Sequence, residues 1–124
     1  MKKILIVDDD TYILTTFSQI LKKRGFEIDT AETGKQGLEK LKQGAYDVAL
    51  IDICLPDMEG TELLTKAKKE LENSVKIMLT GHPSLKTSEK ASVEGADTYI
   101  VKPIKIDELV SVINFFLKTK QEQE

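Results

Sequence analysis

Residues 47–60 read DVALIDICLPDMEG, and this stretch decides how the rest of the chain is arranged. Its apolar run at positions 48–51 is rich in β-favouring residues and predicts a strand buried on both faces. The strand delivers Asp52 to its C-terminal end, where open parallel α/β sheets bind their ligands. We therefore expect Asp52 to lie at the centre of a functional site.

Three further strand-like runs also lead into polar side chains suited to chemistry. Residues 4–7 lead into Asp8 and Asp9, residues 75–79 into Thr80, and residues 98–101 into Lys102. Because the C-terminal ends of parallel strands meet at one edge of a sheet, these side chains should gather there. The predicted site therefore combines carboxylates, a hydroxyl and an ammonium group.

The strand-like runs alternate with helical patterns along the whole chain. Short alternating units of this kind favour right-handed crossovers and a parallel sheet with helices on both faces. The second strand, at residues 26–30, alternates apolar and polar residues, as expected at a sheet edge. We predict an α/β fold of the doubly wound (βα)5 flavodoxin-like class, with a five-stranded parallel sheet of order 2-1-3-4-5.

Five helices are expected in this arrangement. The first should end at Gly25, and Thr33 should cap the second, which runs to about Gln43. The fourth, at residues 84–93, has a weak apolar face, so we expect it to be mobile or to face a partner. The apolar positions of the third helix are Leu63, Leu64, Ala67 and Leu71, and those of the fifth are Ile106, Leu109, Val110, Ile113, Phe116 and Leu117.

Length and composition limit the classes of protein to be considered. The chain has 124 residues, a net charge of -3 and one cysteine, so neither an internal disulfide nor nucleic-acid binding is expected. No apolar run is long enough for a signal peptide or a membrane span, and we expect a cytoplasmic location. We assign residues 1–118 to one domain and residues 119–124 to a polar tail or the start of a linker.

The carboxylates of Asp8, Asp9 and Asp52 would repel one another unless a cation offset their charge. Mg²⁺ suits such a cluster better than Ca²⁺, because it keeps several waters and takes only one or two carboxylates. The alternative is that the acids at positions 8–10 cap a helix N-terminus, which explains one or two of them. The recurrence of an acid after the third strand favours the metal. We expect Asp10, Asp57 and Glu59 to be solvated loop acids rather than ligands.

A carboxylate at the end of a buried strand can attack phosphorus and form an aspartyl phosphate when cations neutralise the phosphoryl oxygens. Lys102 would supply a point charge and Thr80 a hydroxyl donor. Taken singly, a Lys-Pro after a strand is usually a loop, and a Thr there usually caps the next helix. Their occurrence at two adjacent strand ends favours a role in binding a phosphoryl group.

Essentially the whole chain resembles the receiver (CheY-like) domain of two-component response regulators. The matching segments are Ile6-Val7-Asp8-Asp9, Asp52-Ile53-x-Leu55-Pro56-x-x-x-Gly60, Leu79-Thr80-Gly81 and Ala96-Asp97-x-Tyr99-x-x-Lys102-Pro103. The resemblance implies that Asp52 accepts a phosphoryl group from a histidine kinase or phosphotransfer protein. It also implies a switch that catalyses only its own phosphorylation and dephosphorylation, and that controls a partner or an effector domain.

The resemblance also implies roles at the metal site. Asp9 would bind Mg²⁺ directly, Asp8 would hold the ion, often through water, and the backbone carbonyl of Cys54 would complete the site. Lys102 would be the cation that precedes a proline whose peptide bond is usually cis.

Signal output is implied in the same way. Thr80 would follow the phosphoryl group, and Tyr99 would change rotamer with it. The changed surface would be that of the fourth helix, fifth strand and fifth helix (the α4-β5-α5 surface of the family), and a phosphorylation-dependent homodimer is one form of output.

Two positions near Asp52 carry no residue that the resemblance requires. Cys54 and His82 should lie at the mouth through which water reaches the phosphorylated Asp, which makes them candidate modulators of dephosphorylation. His82 can hydrogen-bond water or change its charge near neutral pH, unless it merely faces solvent. Cys54 is small, and a plain packing role is the alternative for it. Gly81 departs mildly from the family pattern, which more often has Ala there.

Two other classes of protein share parts of this pattern. A haloacid-dehalogenase-like small phosphatase also uses a strand-end Asp, Mg²⁺, a Thr or Ser and a Lys. Its nucleophile follows the first strand in an Asp-x-Asp-x-Thr/Val motif, whereas here Asp8-Asp9-Asp10-Thr11 is followed by Tyr12 and no cap domain exists. A flavodoxin-like cofactor binder would need a phosphate loop rich in Ser and Thr after strand 1, which this sequence lacks.

Overall fold

The computed structural model describes residues 1–81 and 95–123. Within these residues, five parallel strands form one sheet of order β2-β1-β3-β4-β5. The strands are β1 (Lys3–Val7), β2 (Glu27–Ala31), β3 (Val48–Asp52), β4 (Val75–Thr80) and β5 (Thr98–Val101). The predicted fold class and strand order are confirmed, with β3 at the centre of the sheet and β2 at an edge.

Helices cover both faces of the sheet. They are α1 (Thr11–Lys23), α2 (Gly34–Gln43), α3 (Gly60–Lys66) and the C-terminal helix (Ile106–Gln123). Residues of α1 and the C-terminal helix share one hydrophobic core, and residues of α2 and α3 share the other. The fourth predicted helix, at residues 84–93, lies outside the described residues. No helix in the described part of the chain is both long and apolar enough to cross a membrane.

Strand β1 shows why the central strands read as continuous apolar runs. Ile4 and Ile6 belong to the core on one face, whereas Leu5 and Val7 belong to the core on the other. All four side chains are completely buried. Since successive side chains point to opposite faces, both faces need apolar residues, and burying each one contributes about 1.5–3 kcal/mol.

Helix α1 ends as its sequence predicts. The N–H of Phe26 donates to the carbonyl of Leu21 and the N–H of Gly25 to that of Lys22, both at 3.1 Å. Gly25 has a φ of 95°, a conformation that favours glycine. These features define a Schellman motif, which satisfies carbonyls at the helix end and turns the chain into β2.

Helix α3 is shorter than predicted. It ends at Lys66, although Ala67 and Leu71 were expected to continue it. Both side chains are nevertheless buried in the core. Past the helix, bonds such as Lys68 N–H to Thr65 O and Glu72 N–H to Lys69 O span three residues instead of four. A succession of turns therefore carries the apolar side chains into the core without a continuous α-helix.

The C-terminal helix continues past Lys118, the predicted end of the domain, and reaches Gln123. Its Lys120 lies 3.9 Å from a carboxylate oxygen of Asp97, the residue before β5. The first part of the polar tail is thus helical. The division into a domain and a tail or linker stays a prediction.

The edge strand β2 is tied to neighbouring elements by polar side chains. Lys40 of α2 donates to the backbone carbonyl of Thr30. The hydroxyl of Tyr46 donates to Asp29 at 2.6 Å, and Lys3 lies 3.5 Å from the same carboxylate. The hydrogen bond from Tyr46 is the main cause that lowers the pKa of Asp29.

The Tyr46–Asp29 hydrogen bond gives a test of the fold. A carboxylate whose folded-state pKa is depressed stabilises the fold fully above its ordinary pKa of 3.8, and this contribution is lost as the pH falls through the lower folded-state value. We expect Tyr46→Phe to lower the free energy of unfolding by ~1 kcal/mol near neutral pH, because Asp29 is partly exposed, and by less in acid. Urea unfolding at several pH values measures this.

Tyr12→Phe is the matched control, since Tyr12 is 70% exposed and should tolerate the change. If Tyr46→Phe lowered the free energy of unfolding by the same amount from neutral to strongly acidic pH, the stabilising role of the Tyr46–Asp29 hydrogen bond would be contradicted.

Candidate functional site

The strand register brings the predicted site together. Val7 of β1 pairs with Ile51 of β3, so the residues that follow them, Asp8 and Asp52, lie side by side at the C-terminal edge of the sheet. On the other side of β3, Asp52 pairs with Leu79 of β4. Thr80 therefore lies at the next strand end.

Lys102 bridges two buried carboxylates. Its Nζ lies 2.9 Å from Oδ2 of Asp52 and 3.0 Å from Oδ2 of Asp8. Asp8 is completely buried and Asp52 is 7% exposed, whereas the lysine side chain is 22% exposed. Burial of the two acids requires a nearby cation, which Lys102 supplies from the loop after β5.

The second oxygen of each carboxylate is held by the backbone. Oδ1 of Asp8 accepts from the N–H of Asp10 at 2.9 Å, and Oδ1 of Asp52 accepts from the N–H of Cys54 at 3.1 Å. Each acceptor binds the N–H two residues further along, so the turn after the strand orients the side chain. Both carboxylates are thereby held in place before any ligand arrives.

The charges at this site are not balanced. Burial, together with repulsion from Asp52, raises the pKa of Asp8 despite the hydrogen bond from the N–H of Asp10 and the nearby ammonium of Lys102. Burial alone would lower the pKa of Lys102, but its hydrogen bond to Asp52 and its attraction to the carboxylates of Asp52 and Asp8 outweigh that effect and raise it. One lysine thus faces two buried acids, and the site favours a further cation.

Asp8, Asp9 and Asp52 form an acidic cluster that could bind a metal ion. One carboxylate oxygen from each lies within 4.8 Å of the others, and Asp9 is exposed to solvent. Oδ2 of Asp8 is buried and accepts no hydrogen bond from the described residues, although it forms an ion pair with Lys102 Nζ. The donor set is all oxygen and open on one side, which suits a hard, partly hydrated divalent ion.

Thr80 and Tyr99 occupy different environments. Thr80 is 4% exposed, and its backbone carbonyl accepts from the N–H of Lys102 at 2.7 Å, which ties the ends of β4 and β5 together. Tyr99 is 42% exposed on β5, the outermost strand on that side, where it pairs with Met78. The Lys102–Pro103 peptide bond is cis, as the resemblance implies.

Two of the acids that we expected to be solvated have structural partners. Asp10 caps α1 by accepting from the N–H of Tyr12 at 2.9 Å. Asp57 accepts from the N–H groups of Gly34 and Lys35, at the start of α2. A simple capping pattern could have indicated Asp10, which precedes its helix directly. No local pattern indicates Asp57, because its partners lie more than twenty residues earlier in the chain.

The loop after Asp52 is closed by a glycine. The N–H of Gly60 donates to the carbonyl of Ile53 at 2.6 Å. A Cβ at position 60 would lie 2.2 Å from the carbonyl oxygen of Asp52, so any side chain would force the backbone apart. Cys54, within this loop, is exposed. His82 lies outside the described residues, and its role as a modulator stays a prediction.

Comparison with known proteins identifies close relatives of this arrangement. The family model for the response regulator receiver domain matches residues 4–114. The solved structure of a response regulator receiver domain protein (CheY-like) from Methanospirillum hungatei JF-1 is 45% identical and has a TM-score of 0.96. The match covers 100% of this chain and 99% of that one. The beryllofluoride-activated NtrC4 receiver domain dimer is 32% identical with a TM-score of 0.89, over 97% of this chain and 99% of that one.

Curated relatives are longer proteins. The cell cycle transcriptional regulator CtrA of Caulobacter vibrioides is 32% identical over 112 residues, which are 90% of this chain and 48% of CtrA. The heme response regulator HssR of Staphylococcus haemolyticus is 36% identical over 121 residues, which are 98% of this chain and 54% of HssR. The chain therefore spans about half the length of these relatives. The haloacid-dehalogenase alternative receives no support from these matches.

Gly60 provides a test of the loop geometry. We expect Gly60→Ala to lower the free energy of unfolding by about 3 kcal/mol or more, because the methyl group would collide with backbone. Gly44→Ala is the control, since its nearest heavy atom would be 3.9 Å away, and its effect should stay within about 0.5 kcal/mol. Thermal and urea unfolding measure both variants, and equal stabilities would contradict the close approach at Gly60.

Proposed function

The chain belongs to the response regulator receiver domain family, and on that premise we propose that it is a phosphoacceptor signalling module in which Asp52 takes a phosphoryl group in a Mg²⁺-dependent reaction. The observation that carries this proposal is the position of Asp52, at the end of the central strand with Lys102 2.9 Å from one oxygen. Asp8 and Asp9 supply the neighbouring carboxylates.

Mg²⁺, held by Asp8, Asp9, Asp52 and the carbonyl of Cys54, would supply charge neutralisation at the phosphoryl oxygens. A carboxylate oxygen of Asp52 attacks phosphorus, the P–N bond of a phosphohistidine donor breaks, and the imidazole leaves with the bonding electron pair. The backbone N–H of Cys54 holds the other oxygen of Asp52 and so fixes the direction of attack. Asp52 is the nucleophile, and the chain catalyses only its own modification.

Lys102 and Thr80 bind the transferred group in this proposal. Lys102 already contacts Asp52, and its ammonium can pair with a phosphoryl oxygen when the negative charge of the site increases. Thr80 lies at the adjacent strand end, and its hydroxyl can donate to a second oxygen. Later attack by water on phosphorus returns Asp52 and releases phosphate. Cys54 and His82 are the side chains proposed to affect that step.

We propose that Thr80 moves toward the phosphoryl group and that Tyr99 follows this movement. The result is a change in the output surface, which consists of the predicted fourth helix, β5 and the C-terminal helix. Of that surface, β5 and the C-terminal helix are described, with Tyr99 and Val101 both more than 40% exposed. A few kcal/mol of differential interaction is enough to shift such a two-state equilibrium. The predicted fourth helix lies outside the described residues.

The partners proposed are a sensor histidine kinase or phosphotransfer protein as donor and a downstream effector protein or domain as target. The NtrC4 receiver domain was solved as a beryllofluoride-activated dimer, which supports a phosphorylation-dependent homodimer here. We propose that the exchange takes place in the cytoplasm, where ATP-dependent kinases act. No direct contact with nucleic acid is proposed, because the net charge is -3.

The first test is chemical labelling. Incubation with Mg²⁺ and a small phosphodonor should add one phosphoryl group, and Asp52→Asn should abolish the addition because the amide is not a comparable nucleophile. Asp107→Asn, at a remote carboxylate that is 89% exposed, should label like the wild type. Intact-mass spectrometry reads the result, and labelling that persists in Asp52→Asn would overturn the assignment.

The second test follows the signal. Beryllofluoride should shift the amide resonances of β5 and the C-terminal helix in the wild type, since the Thr80 hydroxyl would bind the mimic and move the backbone that is bonded to Lys102, just after β5. In Thr80→Ala these distant shifts should largely disappear, while Asp52 still accepts a phosphoryl group. Shifts confined to residues around Asp52 in the wild type would show that the output surface is wrongly placed.

A further inference from the structure

The loop at residues 53–59 carries the Cys54 carbonyl that we propose as a metal ligand, and backbone hydrogen bonds join the start of the loop to β4 and close its turn. The N–H of Ile53 donates to the carbonyl of Leu79 at 3.0 Å. The N–H of Leu55 donates to the carbonyl of Met58 at 3.1 Å. These bonds give the loop its shape, but they leave its tip without an anchor to the rest of the fold.

Asp57 provides that anchor. Its Oδ1 accepts from the N–H of Gly34 at 2.8 Å, and its Oδ2 accepts from the N–H of Lys35 at 2.9 Å. Both donors belong to the first turn of α2, where backbone N–H groups lack partners within the helix and the helix dipole favours an anion. These hydrogen bonds lower the pKa of Asp57, so the carboxylate is charged at neutral pH. A charged group on the loop is thus held by two donors of a different element.

An apolar contact reinforces the same junction. A Cβ at Gly34 would lie 2.5 Å from Cγ and from Sδ of Met58, so the bare backbone of α2 is what allows Met58 to lie against it. Met58 also packs against the core shared by α2 and α3. The two adjacent residues Asp57 and Met58 therefore contact α2 by different interactions.

Helix α2 is itself firmly held. Gly37 lies so close to β1 that a Cβ would be 3.0 Å from Val7, and Leu41 is buried in the core. Thr33 caps the helix by accepting from the N–H of Gln36 at 3.1 Å. The helix can therefore serve as a fixed support for the loop.

We propose that Asp57 is a positioning residue for the phosphorylation site: by clamping the loop to the N-terminus of α2, it holds the Cys54 carbonyl where Asp8, Asp9 and Asp52 can share a metal ion with it. This inference rests on the proposed function. Asp57 does not touch the reacting atoms. It acts through the loop, much as outer groups orient the ligands of other metal sites.

The experiment compares Asp57→Ala with Thr33→Ala. Both variants remove acceptors from the N-terminus of α2, but only Asp57→Ala releases the loop. Two quantities are measured in each: amide hydrogen exchange of residues 54–60 without metal, and the dissociation constant for Mg²⁺ from NMR titration. We expect Asp57→Ala to exchange faster at these amides and to bind Mg²⁺ about tenfold more weakly. Thr33→Ala should match the wild type in both.

Asp57→Asn supplies a graded variant that keeps the size of the side chain. Its amide oxygen can accept from one N–H, while its amide nitrogen faces the other, so exchange and Mg²⁺ affinity should fall between wild type and Asp57→Ala. Equal Mg²⁺ affinity in wild type, Asp57→Ala and Asp57→Asn would overturn the positioning role and leave the proposed function standing. An equal loss in Thr33→Ala would also overturn it, since α2 stability would then be the cause. A wild type that binds no Mg²⁺ would overturn the proposed metal site, and this role with it.

Discussion

The arrangement of the site depends on the ion pairs that the ammonium of Lys102 forms with the carboxylates of Asp8 and Asp52. Moving a charge out of water costs several kcal/mol, and a buried ion pair offsets this only when its geometry is good and the remaining lone pairs find donors. Here the backbone N–H groups of Asp10 and Cys54 donate hydrogen bonds to the second carboxylate oxygens of Asp8 and Asp52, respectively. Three chain segments that are far apart in sequence must therefore meet in one register. A parallel sheet achieves this by placing their strand ends at one edge.

The two-layered core holds that edge in place. Strands β1 and β3 are apolar on both faces, and each face is covered by its own pair of helices. The site thus stands on the most buried part of the molecule, whereas β5 is short and exposes Tyr99 and Val101. The fold consequently joins a rigid centre, where chemistry needs fixed atoms, to an outer strand with fewer constraints. Segments that move in regulated proteins belong to the less stable parts of a structure, which agrees with the output surface proposed above.

Much of this could be predicted from the sequence, since the signals are local. The apolar run before Asp52 marks a central strand, Gly25 marks a helix end, and Thr33 marks a helix start. Two features could not be predicted. The early end of α3 was missed because Leu71 keeps a helical spacing even though turns deliver it to the core. The partners of Asp57 were missed because the tertiary fold, rather than the neighbouring sequence, brings the start of α2 to the loop.

The strict alternation of side chains along β1 limits the ways in which this sequence can evolve. Exchanges among Ile, Leu and Val at positions 4–7 conserve volume approximately and usually cost less than about 1.5 kcal/mol, so lineages can drift freely among them. Loss of a single codon is a different event. It would send every later side chain of the strand into the opposite layer and turn Asp8 away from Lys102. Descendants of this chain should therefore vary in the identity of these residues while keeping their number.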